Sequence, residues 1–142
     1  MGKDHPILKK IKNHFKKVDP ILYAAIKDLY VLEKAAPRDY FAKLCGEIIN
    51  QQLSNKASAT IYKRFQILFP NGKITPQHAL KLSHQDLRGT GTSNAKVTFI
   101  KSLAQKVVNK ELQLEKLASM TDKEVIKELT ETKGIGPWTA EM

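Results

Sequence analysis

The sequence predicts an all-α fold, a bundle of short helices. Nothing in it argues for strands, apolar residues recur at spacings of three and four almost everywhere, and start and stop signals divide the chain at short intervals. With 142 residues and 42% hydrophobic composition, one domain can build a core without covalent staples. The single Cys45 excludes a disulfide framework, a four-cysteine cluster and a cysteine-based zinc site, and His5, His14, His78 and His84 do not fall into metal-ligand spacing. No cofactor and no required metal are expected. No apolar stretch approaches the ~18–20 residues of a membrane span, and the N-terminus lacks the apolar core of a signal peptide, so an intracellular protein is expected, in the cytoplasm or nucleoid, or in a nucleus.

The elements follow in order. Lys3 to Lys17 reads as a basic helix with Ile7, Leu8, Ile11 and Phe15 on one face and six lysines against the single acid Asp4. Asp19-Pro20 reads as N-cap and first helical residue of a helix to about Lys34, with Ile21, Leu22, Ala25, Ile26 and Leu29 inward. Pro37 is expected to open a helix with an apolar face of Phe41, Leu44, Cys45, Ile48 and Ile49, breaking at Asn50-Gln51-Gln52-Leu53. Ser54 caps a helix from Asn55 to Phe69 with Ala57, Ile61, Phe65 and Leu68 toward the core, and Pro70-Asn71-Gly72 is a turn. Thr75-Pro76 and Ser83-His84 each start a short helix, Gly89-Thr90-Gly91-Thr92 reads as a flexible link, and Ser93 caps a long helix with Val97, Ile100, Leu103, Ala104, Val107 and Val108 on its apolar stripe. Thr121-Asp122-Lys123-Glu124 is a capping box opening a helix to about Thr132. The expected organisation is one domain over 1–142, with basic N-terminal helices over 1–36, core helices over 37–132 and a terminal hairpin over 133–142.

The formal net charge of +10 suits polyanionic partners, but charge alone favours a lysine-rich solvated surface until a positional signal is added. That signal is Lys133-Gly134-Ile135-Gly136-Pro137-Trp138-Thr139-Ala140. A tight interhelical turn needs glycine where φ is positive or where another backbone comes close. Ile135 points inward as anchor, Pro137 suits the first turn of the next helix, and the amides around Gly134 and Gly136 stand free at a helix start beside Lys133, able to hold a phosphate oxygen.

This string, preceded by its capping box, resembles the helix-hairpin-helix of the DNA glycosylase superfamily, in its 3-methyladenine (alkylation-repair) branch. Ile48-Ile49-Asn50-Gln51-Gln52-Leu53-Ser54-Asn55-Lys56-Ala57 resembles that family's DNA-probing stretch, and Gly91-Thr92-Ser93-Asn94-Ala95-Lys96 its Gly-x-Ser-x-x-Lys segment. The matches occur in family order and cover roughly residues 38 to 142. The resemblance implies an enzyme that flips an alkylated purine out of duplex DNA and hydrolyses its N-glycosidic bond in base-excision repair. It implies backbone contacts at Lys133, Gly134, Ile135 and Gly136, and a minor-groove probe at Gln51, Gln52 and Leu53, with Gln52 at the position of the bulky wedge. It also implies a base pocket at Trp138 and Met142, where the indole would stack on a cationic base for ~1–2 kcal/mol. Tryptophan at 138, where strand-cleaving members carry a lysine, implies the monofunctional type that uses water. The resemblance further suggests a structural cation on the hairpin carbonyls.

The family's catalytic aspartate lies downstream of this hairpin, beyond Met142, and Asp86, Asp122, Glu124, Glu47 and Glu141 do not match its position. The expectation is therefore a C-terminally incomplete domain, inactive alone, with no catalytic residue assigned. The alternatives are a non-enzymatic helix-hairpin-helix module that clamps duplex DNA, and a structural bundle whose lysines are only solvated; Trp138 and the 51–54 loop argue against the pure clamp.

Overall fold

The computed structural model describes residues 6–29 and 39–142, and among them nine α-helices, two 3-10 turns and no strand. The chain divides into two compact units, Met1–Ala36 and Pro37–Met142.

In the first unit, α1 (Pro6–Val18) and α2 (Pro20–Ile26) pack on each other, joined at Asp19, whose carboxylate accepts from the Leu22 amide as N-cap. α2 ends at Ile26, earlier than the expected Lys34, which lies outside the described residues, as do Lys3 and Pro37. The apolar stripe exists, but none of it is buried: Ile21 is 86% exposed and Ile7 62%. Two helices this short cannot enclose a core.

The second unit holds the core. Asp39 caps α3 (Tyr40–Asn50), which buries Phe41, Leu44, Cys45, Ile48 and Ile49 as its 3-4 spacing requires. Burial pushes the Cys45 thiol far up, so it behaves as a small apolar side chain. Ser54 caps α4 (Asn55–Ile67), which buries Phe65 and Ser58; Ala57, expected inward, faces solvent because the buried face of this helix runs one residue later. A 3-10 turn at Pro70–Gly72 leads to α5 (Pro76–Lys81) and α6 (His84–Gly89), capped by Thr75 and by a Ser83/Asp86 box. α7 (Asn94–Val108) buries Val97, Ile100, Leu103 and Ala104 and packs against α5, α3 and α6; Val108 sits at the exposed edge. A 3-10 segment at Leu114–Ser119, which the sequence pattern does not announce, buries Leu114 and Leu117. α8 (Asp122–Thr130) follows its Thr121/Glu124 box and ends two residues short of Thr132, and α9 is Pro137–Glu141.

One feature corrects the sequence reading and a second adds to it. The 89–92 segment is not a flexible link: Thr90 and Thr92 are 3% and 2% exposed, their hydroxyls are 2.8 Å apart, and Arg88 Nη1 donates to the Thr92 carbonyl at 2.7 Å. Paired threonine hydroxyls satisfy each other, so the turn belongs to the core.

The second concerns three lysines of α7. Lys96 Nζ donates to the carbonyls of Ile49 (2.9 Å) and Gln51 (2.5 Å), Lys101 Nζ to those of Leu80 (3.0 Å) and Leu82, and Lys106 Nζ to that of Glu131 (2.8 Å). These are the carbonyl ends of α3, α5 and α8, where unpaired oxygens and the negative helix pole favour a cation. Partial burial holds Lys96 and Lys101 below the usual amine range. α7 thus fastens three helices by their C-termini.

Candidate functional site

Two turns converge on one cleft. The first follows α3. Gln51 has φ −50° and ψ 127°, Gln52 has φ +58°, and the Leu53 amide donates to the Asn50 carbonyl at 3.1 Å. These are the marks of a type II β-turn, in which the third position has positive φ and normally takes glycine. A glutamine there costs about 1 kcal/mol of backbone strain and persists only because its surroundings fix it.

The surroundings are specific. Lys96 Nζ holds the carbonyl of Gln51, and the Gln51 side-chain amide donates to the Gly134 carbonyl at 2.9 Å and to Thr139 Oγ1 at 3.2 Å. Gln51, expected on sequence grounds to probe a groove, is instead bound within the protein. Gln52 stands exposed at the tip and borders the cleft, while Leu53 flanks the tip outside the cleft wall.

The second turn joins α8 to α9. The Thr132 amide donates to Leu129 and the Ile135 amide to Thr132, and Ile135 is buried as anchor. Gly134 has φ +90°, and a Cβ there would lie 2.2 Å from Phe99 Cγ, so conformation and packing both demand glycine. Gly136 differs. Its φ of −86° suits any residue, a Cβ would meet nothing within 4 Å, and it caps α9 without a side-chain acceptor. Among the described residues the amides of Gly134, Gly136, Trp138 and Thr139 donate to no acceptor, as the open start of a helix leaves them. Lys133 is exposed beside them.

The cleft between the turns measures about 880 Å³ and is bordered by Gln52, Lys96, Phe99, Gly134, Gly136 and Trp138 among others. Trp138 is 76% exposed, so its ring is an open wall and not part of the core. Met142, expected beside it, lies outside the cleft wall. Glu47 borders the cleft, with its carboxylate 2.5 Å from Lys43 Nζ. The hydroxyl of Thr132, also at the cleft, is buried without a partner. Among the described residues no group of three or more His, Cys, Asp or Glu is placed to hold a metal ion, and no helix is long and apolar enough to cross a membrane.

An all-α scaffold thus presents a Gly-x-Gly turn of free amides, an open tryptophan and a strained loop tip around one cleft. The chain belongs to the HhH-GPD superfamily of base excision DNA repair proteins, whose family model matches residues 45–142. It is 32% identical over 113 residues to DNA-3-methyladenine glycosylase 1 of Schizosaccharomyces pombe, covering 78% of this chain and 48% of that protein. It is 34% identical over 144 residues to the DNA-3-methyladenine glycosylase of Saccharomyces cerevisiae, covering 91% of this chain and 49% of that protein. Among solved structures it superposes on a DNA-3-methyladenine glycosidase of Bacillus halodurans with a TM-score of 0.82 at 31% identity, over 100% of this chain and 64% of that one. The S. pombe 3-methyladenine DNA glycosylase in complex with abasic DNA gives a TM-score of 0.76 at 26% identity, over 92% and 66%. The chain spans about half the length of the curated relatives it matches.

Proposed function

We propose that this chain supplies the lesion-gripping part of a monofunctional DNA glycosylase that removes alkylated purines of the 3-methyladenine type from duplex DNA. The juxtaposition of Gln52, Trp138 and the free amides of Gly134 and Gly136 around one cleft carries this reading. The hairpin amides and Lys133 hold one phosphate without reading sequence, since such contacts position a duplex and do not specify it. Gln52 enters where the extrahelical nucleotide leaves a gap, and its amide can pair with the orphaned partner base. Trp138 offers a π face to a cationic alkylated base, a contact worth ~1–2 kcal/mol once water is excluded. No residue of the chain is assigned as the catalytic acid.

The family resemblance suggests a structural cation at the hairpin, for which the turn offers oxygens with unused lone pairs. The Thr132 hydroxyl lacks a partner, and the carbonyls of Thr132, Gly134 and Gly136 each accept one hydrogen bond and keep a second lone pair. A cation bound there would stiffen the turn and lend positive charge beside the phosphate. This chain's own amides and Lys133 make the grip.

The test is binding to two duplexes identical except for one abasic-site analogue. Tighter binding to the abasic duplex is expected, with Trp138→Ala eroding that preference more than overall affinity. Affinity should fall with salt at a log–log slope of about −0.9 for each phosphate neutralised. Equal affinity for both duplexes, with the same salt slope, identifies a plain backbone clamp and overturns the glycosylase reading.

A further inference from the structure

We infer that Gln51 is a positioning residue that locks the probing loop to the hairpin, so that the loop tip and the phosphate grip act as one rigid gauge of the duplex. The inference rests on the function proposed above and deepens it.

Three ties meet on this one residue. Its backbone carbonyl accepts from Lys96 Nζ, which also holds Ile49 and so closes the end of α3. Its side-chain amide reaches 83 positions along the chain to the Gly134 carbonyl and 88 to Thr139 Oγ1. Gln51 is also the second residue of the turn whose third residue, Gln52, takes positive φ. A strained conformation at that third position persists when its surroundings over-determine it, and holding the preceding residue at both its carbonyl and its side chain does so. Gln51 is held at both.

The tie lands on a hairpin peptide packed closely on Phe99 of α7, so its carbonyl is backed by that helix. Lys96 stands on the same helix. The loop tip and the hairpin therefore share α7 as a common base, with Gln51 as the strut between them. Only a duplex with a gap one nucleotide from the gripped phosphate satisfies both ends of such a gauge. An intact duplex can engage the hairpin alone. Discrimination between the two then resides in the strut as much as in the tip.

The chemistry of the strut is directional, because the Gln51 Nε2 donates to two oxygens and a donor is required. Gln51→Met keeps the length and removes the donor. Gln51→Glu keeps the shape and presents an acceptor to the Gly134 carbonyl, except where the carboxyl is protonated and its O–H donates in place of the amide.

The experiment measures Kd by fluorescence anisotropy for the whole chain on duplexes with and without one tetrahydrofuran abasic analogue. Gln51→Met is expected to lower the intact-to-abasic Kd ratio about tenfold, the scale of one to two hydrogen bonds. Gln51→Glu is expected to lose the ratio at neutral pH and regain it as pH falls into the carboxyl range, with wild type and Gln51→Met showing no such recovery. A role in stability alone would not produce that pH profile. A ratio retained by Gln51→Met, or a Gln51→Glu ratio indifferent to pH, overturns the inference and leaves the proposed function standing. A wild-type chain without any preference removes both. Should Gln51→Met not fold, Thr139→Val, which deletes only the 3.2 Å acceptor, must lower the ratio in the same direction, and an unchanged ratio overturns the strut.

Discussion

The molecule contains the same local design twice, with one helix start capped by a side chain and the other not. A Ser83/Asp86 capping box starts α6, which runs into Gly89-Thr90-Gly91 and then α7; a Thr121/Glu124 box starts α8, which runs into Gly134-Ile135-Gly136 and then α9. The first turn closes on itself. Thr90 Oγ1 bonds to Leu87 and Thr92, Arg88 to the Thr92 carbonyl, and Ser93 Oγ to the Lys96 amide, so the start of α7 is already capped. In the second turn, aligned on its own positive-φ glycine, the places of Thr90, Thr92 and Ser93 hold Lys133, Ile135 and Gly136, which offer no hydroxyl, and α9 starts with its amides open. A single glycine of positive φ makes the bend in both cases, Gly91 at +99° and Gly134 at +90°. One cap hydroxyl separates them: Ser93 Oγ takes up the Lys96 amide, whereas the Thr139 amide at the same place in α9 is left for an outside anion.

Glycine substitutions test this contrast most severely at Gly134. Gly134→Ala combines φ +90° with a 2.2 Å clash on Phe99 Cγ. Left-handed strain of ~1–2 kcal/mol and overpacking of ~1–3 kcal/mol predict a loss of about 3 kcal/mol in denaturant unfolding. Gly91→Ala at φ +99° meets Ile61 Cγ1 at 3.2 Å, a flexible side chain, and is expected to cost about 1–2 kcal/mol. Gly136→Ala should separate stability from binding. With open space around its Cβ it changes unfolding by no more than about 0.5 kcal/mol, yet it places a methyl where a phosphate must approach and weakens duplex binding about tenfold, or ~1.4 kcal/mol. Unchanged affinity in that variant would make the two turns functionally alike.

The smallest effect is shared by both. Hydrogen bonds from Ser83 hold the Asp86 carboxyl below its ordinary range, and those from Thr121 do the same for Glu124. A carboxyl with a depressed folded pKa stabilises above its unfolded pKa and loses that contribution as pH falls through the folded value. Fraying of α6 and α8 is therefore expected on the acid side of the carboxylate range, followed by circular dichroism. Asp86→Asn and Glu124→Gln should flatten that limb.

Local chemistry was the legible part of the sequence. The caps at Asp19, Ser54, Thr75, Ser83, Ser93 and Thr121 and the buried faces of α3 and α7 depend on residues within a turn or two of each other, and they stand where the pattern puts them. The illegible part is carried by long-range bonds. Nothing near Gln51 in the sequence announces that its amide belongs to Gly134, and Gly-Thr-Gly-Thr reads as a polar linker until two hydroxyls are seen to pair. The α7 lysines did leave a signal. Steps of five residues turn about 140° around a helix, so Lys96, Lys101 and Lys106 cannot share one solvent face, and such charges on a core helix must reach for partners. For α1 and α2 the stripe was legible and its burial was not, because periodicity marks an apolar face without saying what covers it.

Those three lysines have a practical consequence for any titration with electrolyte. Their ammonium groups sit about a hydrogen bond's length from peptide oxygens and partly out of solvent, where mobile ions screen poorly compared with contacts spread over a Debye length of open surface. Raising ionic strength should thus strip a bound polyanion long before it loosens α3, α5 or α8, and the ionic-strength dependence of complex formation reads release from an intact scaffold.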